Sequence, residues 1–552
     1  MNLIPRPASG RRPAASWHHR PVRALVTGAA TVSMVALLAA CDGGGGSTAA
    51  GSNGELKVAI DADPVCLDPV QATLIASNVI GRQLVDSLID QDPESGEFKP
   101  WLAKSWEVND DATSFTFRLR DGATFSDGTK LDAAAVKASL QGVVDLGAKS
   151  VYGSSYLGGL KDIKTPDAAT VVVDFDASNA QFLMAASTPT LGILSAKALA
   201  TSAKDRCVGT GLVGSGPFTL ASYRANQSVK IERRDDYAWP SGLAEHTGAA
   251  KLASVTYQVS TEPSVRAGTL RSHQVDMATT IQSQDEAAFD GNGFHLMTRV
   301  NPGIVVGISP NLSGSSPILD DAQVRKALQM SIDREDIAKT VLTPSYGVAS
   351  SPLGETTPGW KDDSSVLAYD PDQAGKILDG AGWTKGSDGI RTKGGKKLRL
   401  TVAYFYQTNV VEYLQQQLRK VGIDLVLKEM NAAQYASEYL TGKYDFISTS
   451  VSRPDPDILR AMFAADATNF TFTDKNDPVQ KQLAPLFDKI RSTTDTAARA
   501  EAAGAAQKIL LDNGWIFPLS QLTQVVAVSD DVTGVRYDAA SRFVLYDAAF
   551  KG

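Results

Sequence analysis

Residues 398–427 read LRLTVAYFYQTNVVEYLQQQLRKVGIDLVL, and the apolar period changes twice along them. Residues 398–403 form a strand-like run. Val411, Leu414, Leu418 and Val421 then lie on one helical face that stops at Gly422, and Ile423, Leu425 and Leu427 return to alternation. Strand, helix and strand in this order make a β-α-β unit, whose crossover joins parallel strands, so this part of the chain reads as α/β. Just upstream, Asp370-Pro371-Asp372-Gln373 supplies an N-cap and a proline for the first helical turn. Ala374, Ile377 and Leu378 follow on one face, with a glycine stop at 380–382. Toward the N-terminus the pattern turns hairpin-rich. Glu55–Ile60, Ser114–Leu119 and Thr170–Phe175 alternate, Asp121-Gly122 and Asp127-Gly128 supply turns, and 73–89 has helical spacing through Leu74, Val79, Leu84 and Leu88.

The 552 residues exceed what one hydrophobic core usually organises, so two or more lobes are expected. With 43% hydrophobic and 21% charged residues the chain is globular rather than collagen-like, mucin-like or wholly disordered. No repeat of solenoid or propeller length is visible. The formal charge is −7, but residues 1–40 hold five arginines and no acid; without them, 49 basic and 61 acidic residues leave a net charge of −12. So acidic a body argues against nucleic acid as a partner, because phosphate binding needs clustered Lys and Arg.

Residues 1–23 are basic and polar, 24–40 are mostly apolar, and Leu38-Ala39-Ala40-Cys41 follows. This is the anatomy of an export signal rather than a spanning helix. Leu-Ala-Ala-Cys resembles a bacterial lipobox, which implies a signal peptide over 1–40, cleavage before Cys41 and acylation of that cysteine. The plainer reading is an ordinary signal with a chance cysteine. Residues 42–53 are rich in Gly, Ser and Ala, so 41–54 reads as a flexible tether with a reach of roughly 20 Å. The expected location is outside the cell and lipid-anchored to the outer face of the bacterial cytoplasmic membrane, whether at a cell surface or in a periplasm. Arg11-Arg12 leaves the export route open.

Two cysteines remain, Cys66 and Cys207, and the exported context predicts a disulfide between them as a structural staple. Two buried thiols are the alternative.

The search for catalytic motifs is mostly negative. The GxGxxG within 207–214 lacks a helix after its last glycine; Ser215-Gly216-Pro217 and an alternating run follow instead, so it reads as coincidence. GxSxG, GxxxxGK[ST] and HExxH do not occur. Beyond the leader only His246, His273 and His295 remain, none at metal-ligand spacing. No cofactor and no metal site are therefore expected, and the chain reads as a non-enzyme that captures a solute between lobes.

Several segments carry a family resemblance. Leu67-Asp68-Pro69, 101–106 (WLAKSW), 115–122 (FTFRLRDG) with 125–128 (FSDG), and 214–218 (GSGPF) occur in this order. They are followed by 324–328 (VRKAL) through 332–335 (IDRE), by 369–371 (YDP) through Gly382-Trp383, and by 444–446 (YDF). In that order and spacing they resemble the family 5 solute-binding proteins of ABC importers, of the oligopeptide, dipeptide and nickel type. The resemblance implies a two-lobe, hinged fold of the type II periplasmic-binding-protein class. The first lobe would span 55–300 with an inserted subdomain near 84–207, the second 301–519, and 520–552 would return to the first. It also implies a monomer that hands its ligand to a permease with cytoplasmic ATPase subunits.

In this family the ligand is read after the first strand and in a loop of the second lobe. The matching positions are Thr73, Leu74 and Ser77, and Ser450, Ser452, Arg453 and Asp455. Peptide-binding members carry an aromatic and then an acid in that loop; here Thr449 and Ser452 stand there, which weakens the dipeptide reading. Arg453 is read either as a bidentate partner for a ligand carboxylate or as a structural partner of Asp455 or Asp457. Tyr404 and Tyr406 line the cleft or cap the core, and Tyr152 is an aromatic candidate from the first lobe. The ligand reading is a peptide or similar small zwitterionic or anionic solute, with nickel or opine-like metallophore complexes as the alternative. From other classes, a secreted hydrolase and a sensory or adhesive lipoprotein stand as rivals.

Overall fold

The computed structural model describes residues 54–552. The expected signal peptide, Cys41 and the tether up to residue 53 lie outside the described residues. Among the described residues no helix is long and apolar enough to cross a membrane.

The alternating strand Glu55–Ile60 sits inside a seven-stranded mixed sheet. Its neighbours are Ser254–Val259 and Met277–Ala278, both parallel to it. Beyond Met277–Ala278 come Thr523–Ser529 and then Phe294–Val300, so a strand near the C-terminus completes the sheet that begins the fold. A separate four-stranded antiparallel sheet holds Ala103–Val108, Ser114–Leu119, Thr170–Phe175 and Leu160–Asp167. Its alternation buries Phe115, Phe117, Val171 and Val173, and Phe182 packs edge-on against Phe115.

The second lobe is an α/β sandwich. Its five-stranded sheet runs Asp424–Glu429, Arg399–Tyr404, Phe446–Ser452, Gly303–Pro310, Phe517–Ser520. The β-α-β unit forms as its period dictates: Arg399–Tyr404 pairs in parallel with Asp424–Glu429, and helix Thr408–Lys420 connects them. That helix buries Val411, Leu414 and Leu418 with Leu400 and Val402 on one side of the sheet. On the other side Ile304 and Ile447 share a core with Leu483, Ala503 and Leu510 from helices Pro478–Ser492 and Thr496–Asp512. The N-cap read at Asp370 forms, its carboxylate accepting from Gln373 N–H at 2.8 Å.

Two crossings join the lobes, side by side. Phe294–Val300 lies in the first sheet and Gly303–Pro310 in the second, while Phe517–Ser520 lies in the second and Thr523–Ser529 in the first. The links between them, 301–302 and 521–522, are tied by Asn301 N–H donating to Leu522 O at 2.6 Å. A pair of short strands linked at one point is the geometry of a hinge.

Two features differ from the sequence reading. The helix expected over 73–89 is Ile75–Leu84. Past Leu84 the chain turns extended because the 214–216 segment closes on it: Gly216 N–H donates to Leu84 O at 3.0 Å and Asp86 N–H to Ser215 Oγ at 2.9 Å. Tertiary bonds here replace the last helical turn. The same contact explains the glycines, which are a close backbone approach rather than only a turn: a Cβ at Gly216 would stand 2.5 Å from Leu84 C.

The Cys66–Cys207 disulfide is present, with Cα atoms 4.0 Å apart and a sequence separation of 141. It joins the segment after the first strand to helix Ala203–Cys207. Beside it Arg206 pairs with buried Asp68 at 2.7 Å, so a covalent and an ionic link hold the same two segments.

Candidate ligand cleft between the lobes

Where the lobes face each other lies a partly open cavity of about 80 Å³. Its walls come from five separated stretches: Arg82 on helix Ile75–Leu84, Tyr152 and Tyr156 on helix Val151–Tyr156, Thr188 and Thr190, Ser452 and Pro454 from the second lobe, and Asp538 and Arg542 near the C-terminus. Two further cavities adjoin the interface. One of about 250 Å³ shares Pro454 and Ala539 with the first, and one of about 410 Å³ lies between Ser155 and Gln181 on one side and Arg460 and Arg491 on the other.

The charged wall is well defined. Arg82 is buried, donating to Ser87 Oγ at 2.9 Å and Ser187 O at 2.6 Å, with its guanidinium 5.1 Å over the Trp101 ring. Burial lowers its pKa, against the raising effect of Asp538, Asp90 and Asp86. Burial likewise raises the Asp538 carboxyl, although Arg82 and Arg542 pull it down, and lowers Arg542. Tyr156 is pushed up by burial, with Arg453 opposing.

Of the residues singled out in the sequence, Thr73, Tyr152 and Ser452 line the central cavity. The Ser452 hydroxyl is buried there without a hydrogen-bond partner. Tyr406, also half-buried, has its hydroxyl enclosed without a partner at hydrogen-bond distance, and burial raises its pKa. Ser450 faces it on strand Phe446–Ser452.

Others fall elsewhere. Ser77 is buried and donates to Pro64 O at 2.5 Å, a local structural bond. Leu74 is exposed just before the helix start. Tyr404 packs into the second-lobe core. Asp455 Oδ1 is held by Arg499 at 2.6 Å and accepts from Asp457 N–H, so this oxygen ties its own loop to helix Thr496–Asp512.

Arg453 is paired with neither acid of its loop, because Asp455 holds Arg499 and Asp457 holds Arg460 at 2.7 Å. It reaches across the cleft instead. Its guanidinium donates to Gln181 Oε1 at 3.3 Å and Ser155 Oγ at 3.4 Å and lies 5.1 Å over the Tyr156 ring.

Arg82, Tyr156, Asp538 and Arg542 escaped the sequence reading. The only local signal was an acid and an arginine four residues apart in the C-terminal segment, which alone cannot be told from a surface pair. Among the described residues no cluster of three or more His, Cys, Asp or Glu side chains could hold a metal ion.

Two lobes, two adjacent crossings and a polar cavity between them define the class of hinged solute-binding proteins. Residues 97–470 match the family model for bacterial extracellular solute-binding proteins, family 5, and the chain belongs to that family, the capture components of ABC importers. It is similar to the glutathione-binding protein GsiB of Escherichia coli O1:K1 / APEC, with 27% identity over 496 residues, covering 87% of this chain and 91% of that protein. Among solved structures it resembles NikA from Brucella suis in complex with Fe(III)-EDTA, with TM-score 0.77 and 21% identity over 90% of this chain and 100% of that one. It also resembles AgaA from A. tumefaciens R10 in complex with agropinic acid, with TM-score 0.72 and 24% identity over 90% and 99%. These structures share the fold.

Proposed function

We propose that this protein is the lipid-anchored receptor of an ABC importer, held by Cys41 at the outer face of the bacterial cytoplasmic membrane. Its lobes close around a peptide or peptide-like zwitterionic or anionic solute and deliver it, unaltered, to the permease. The observation that carries this reading is the interlobe cavity, where two tyrosines and the Arg542 guanidinium from one side meet Ser452 and Pro454 from the other. A cavity with a few convergent polar groups at a lobe interface is a binding site by default, and binding that selects the closed form needs no bond to break.

The similarity to a glutathione-binding protein supports a peptide-like solute. The two arginines at the cavity favour a second reading, in which the solute is a metal already chelated by carboxylates. Native mass spectrometry of the full chain, purified gently in detergent, tests both. Peptide masses released on denaturation support the first reading, and a discrete metal-containing mass supports the second. A protein that binds neither peptides nor chelates added to it fails both. Labelling with a fatty-acid analogue should mark the parent and not Cys41→Ser; equal labelling removes the anchor.

A further inference from the structure

Four charged side chains line the central cavity, and two of them are already engaged. Arg82 holds Ser87 and Ser187 and stacks on Trp101. Asp90 accepts from Ser241 Oγ at 2.5 Å and Gln91 N–H at 2.9 Å and faces Arg536 at 3.5 Å.

Asp538 and Arg542 differ. Asp538 Oδ1 accepts the N–H groups of Ala540 and Arg542, each at 2.9 Å. Its Oδ2 meets only Arg82 Nε at 3.9 Å, beyond hydrogen-bond reach, and that Nε is itself a buried donor without an acceptor. The Arg542 guanidinium donates to one acceptor, Ser541 O at 3.4 Å, and makes no ion pair among the described residues. The turn that carries both is rigid. Arg536 and Tyr537 pair with Val544 and Phe543, Asp538 N–H donates to Arg542 O at 2.7 Å, and Tyr537 and Ser541 hydroxyls bond Met297 O at 2.9 Å and Val300 O at 3.0 Å.

One fixed turn thus presents a carboxylate oxygen that accepts no hydrogen bond and a guanidinium that holds no carboxylate to the same cavity. We infer that this turn binds the head group of an α-amino acid, with the ammonium on Asp538 Oδ2 and the carboxylate on Arg542. The inference rests on the solute-capture reading above and narrows its substrate class. A central space of about 80 Å³ suits a compact head group rather than an extended peptide backbone, and the adjoining cavity past Pro454 and Ala539 has room for the rest of the molecule. Burial disfavours the charges of Asp538 and Arg542 more than their attraction to each other and to Arg82 restores them, so a zwitterion that pairs with both at once is the ligand this wall stabilises. The favoured solutes carry ammonium and carboxylate on one carbon with a tail beyond, as γ-linked glutamyl peptides do. In α-linked peptides the two charges sit at opposite ends.

Calorimetric titration of the full chain in detergent tests this with γ-glutamylglycine, its α-linked isomer, its N-acetyl derivative and glutathione. The γ-linked probes should bind more than about tenfold tighter than the α-linked isomer, and N-acetylation should abolish binding. Arg542→Gln and Asp538→Asn should each bring the γ-to-α ratio close to one. Asp538 also fixes the turn, so the ratio, read within one variant, and the Arg542 variant separate recognition from loss of fold. Equal affinity for the two isomers, or a ratio that survives Arg542→Gln, overturns the head-group assignment while solute capture stands. No binding of these probes, of a mixed peptide library or of metal chelates overturns both.

Discussion

Asp86 is fully buried, accepting from Tyr237 Oη at 3.0 Å and Trp239 Nε1 at 2.9 Å. Burial pushes its carboxyl from 3.8 up to about 7, against the lowering effect of those two hydrogen bonds and of Arg234 and Arg82. The folded chain therefore keeps a proton over a range in which the unfolded chain has lost it. The stabilisation is fully present below about pH 4 and is lost as pH rises through about 7. Asp538, also raised by burial, acts in the same direction. Asp86→Asn should thus flatten the fall in melting temperature between those pH values, and a parent no more pH-sensitive than the variant would remove Asp86 as the cause. A second residue-scale constraint sits at the first lobe crossing. Gly303 has φ +115°, and a Cβ there would lie 2.0 Å from Val451 O and 2.7 Å from Arg453 N, both backbone atoms. Gly303→Ala should cost about 3 kcal/mol through backbone strain and overpacking. Urea unfolding with a midpoint within experimental error of the parent would contradict that.

At the scale of elements, what is local in sequence was legible. The strands Glu55–Ile60, Ser114–Leu119 and Thr170–Phe175, the capped helix after Asp370 and the β-α-β unit all form, because alternation, N-cap chemistry and helical period act within one element. Helix Ile75–Leu84 stops five residues before 89, because Ser215 and Gly216, more than a hundred positions away, supply its competing bonds. The cleft was the least legible part for the same reason. It gathers side chains from residues 82, 152, 188, 452 and 542, and what distinguishes Arg542 from Arg499 is the absence of a carboxylate partner, a property only tertiary structure confers. Arg453 shows the converse: its neighbours in sequence offered two acids, and other arginines took both. The disulfide is an element-scale device with its own expectation. Closing a loop between cysteines 141 positions apart is worth at most about 5 kcal/mol in the chain-entropy model. The Cys66→Ser/Cys207→Ser double variant should fold with a lower melting temperature, since Arg206 and Asp68 still join the same segments. An unchanged melting temperature would mean that the ionic link suffices.

For the whole molecule the question is what holds the lobes together with so small a space between them. Among the contacts that cross from residues 155–181 to the second lobe, Ala180 N–H donates to Arg491 O at 2.9 Å, and Arg453 reaches Gln181, Ser155 and the Tyr156 face. Arg453 is 4% exposed in this closed form and is left by opening to water, so its desolvation opposes closure while its cross-cleft bonds favour it. Two long hydrogen bonds and one cation–π contact amount to about 1–2 kcal/mol net. That shifts an open–closed equilibrium by roughly tenfold, enough to bias the lobes without locking them. The balance suits a receptor that must both capture and release. Arg453→Met keeps the apolar stem and removes the charge, and should leave the fold and melting temperature nearly intact while enlarging the solution radius of gyration of the ligand-free chain. Its affinity should fall in proportion to the lost closed fraction, because binding must then supply the closure energy. If scattering from the ligand-free variant matches the parent and only affinity changes, Arg453 contacts the solute directly, and closure is set elsewhere along the interface.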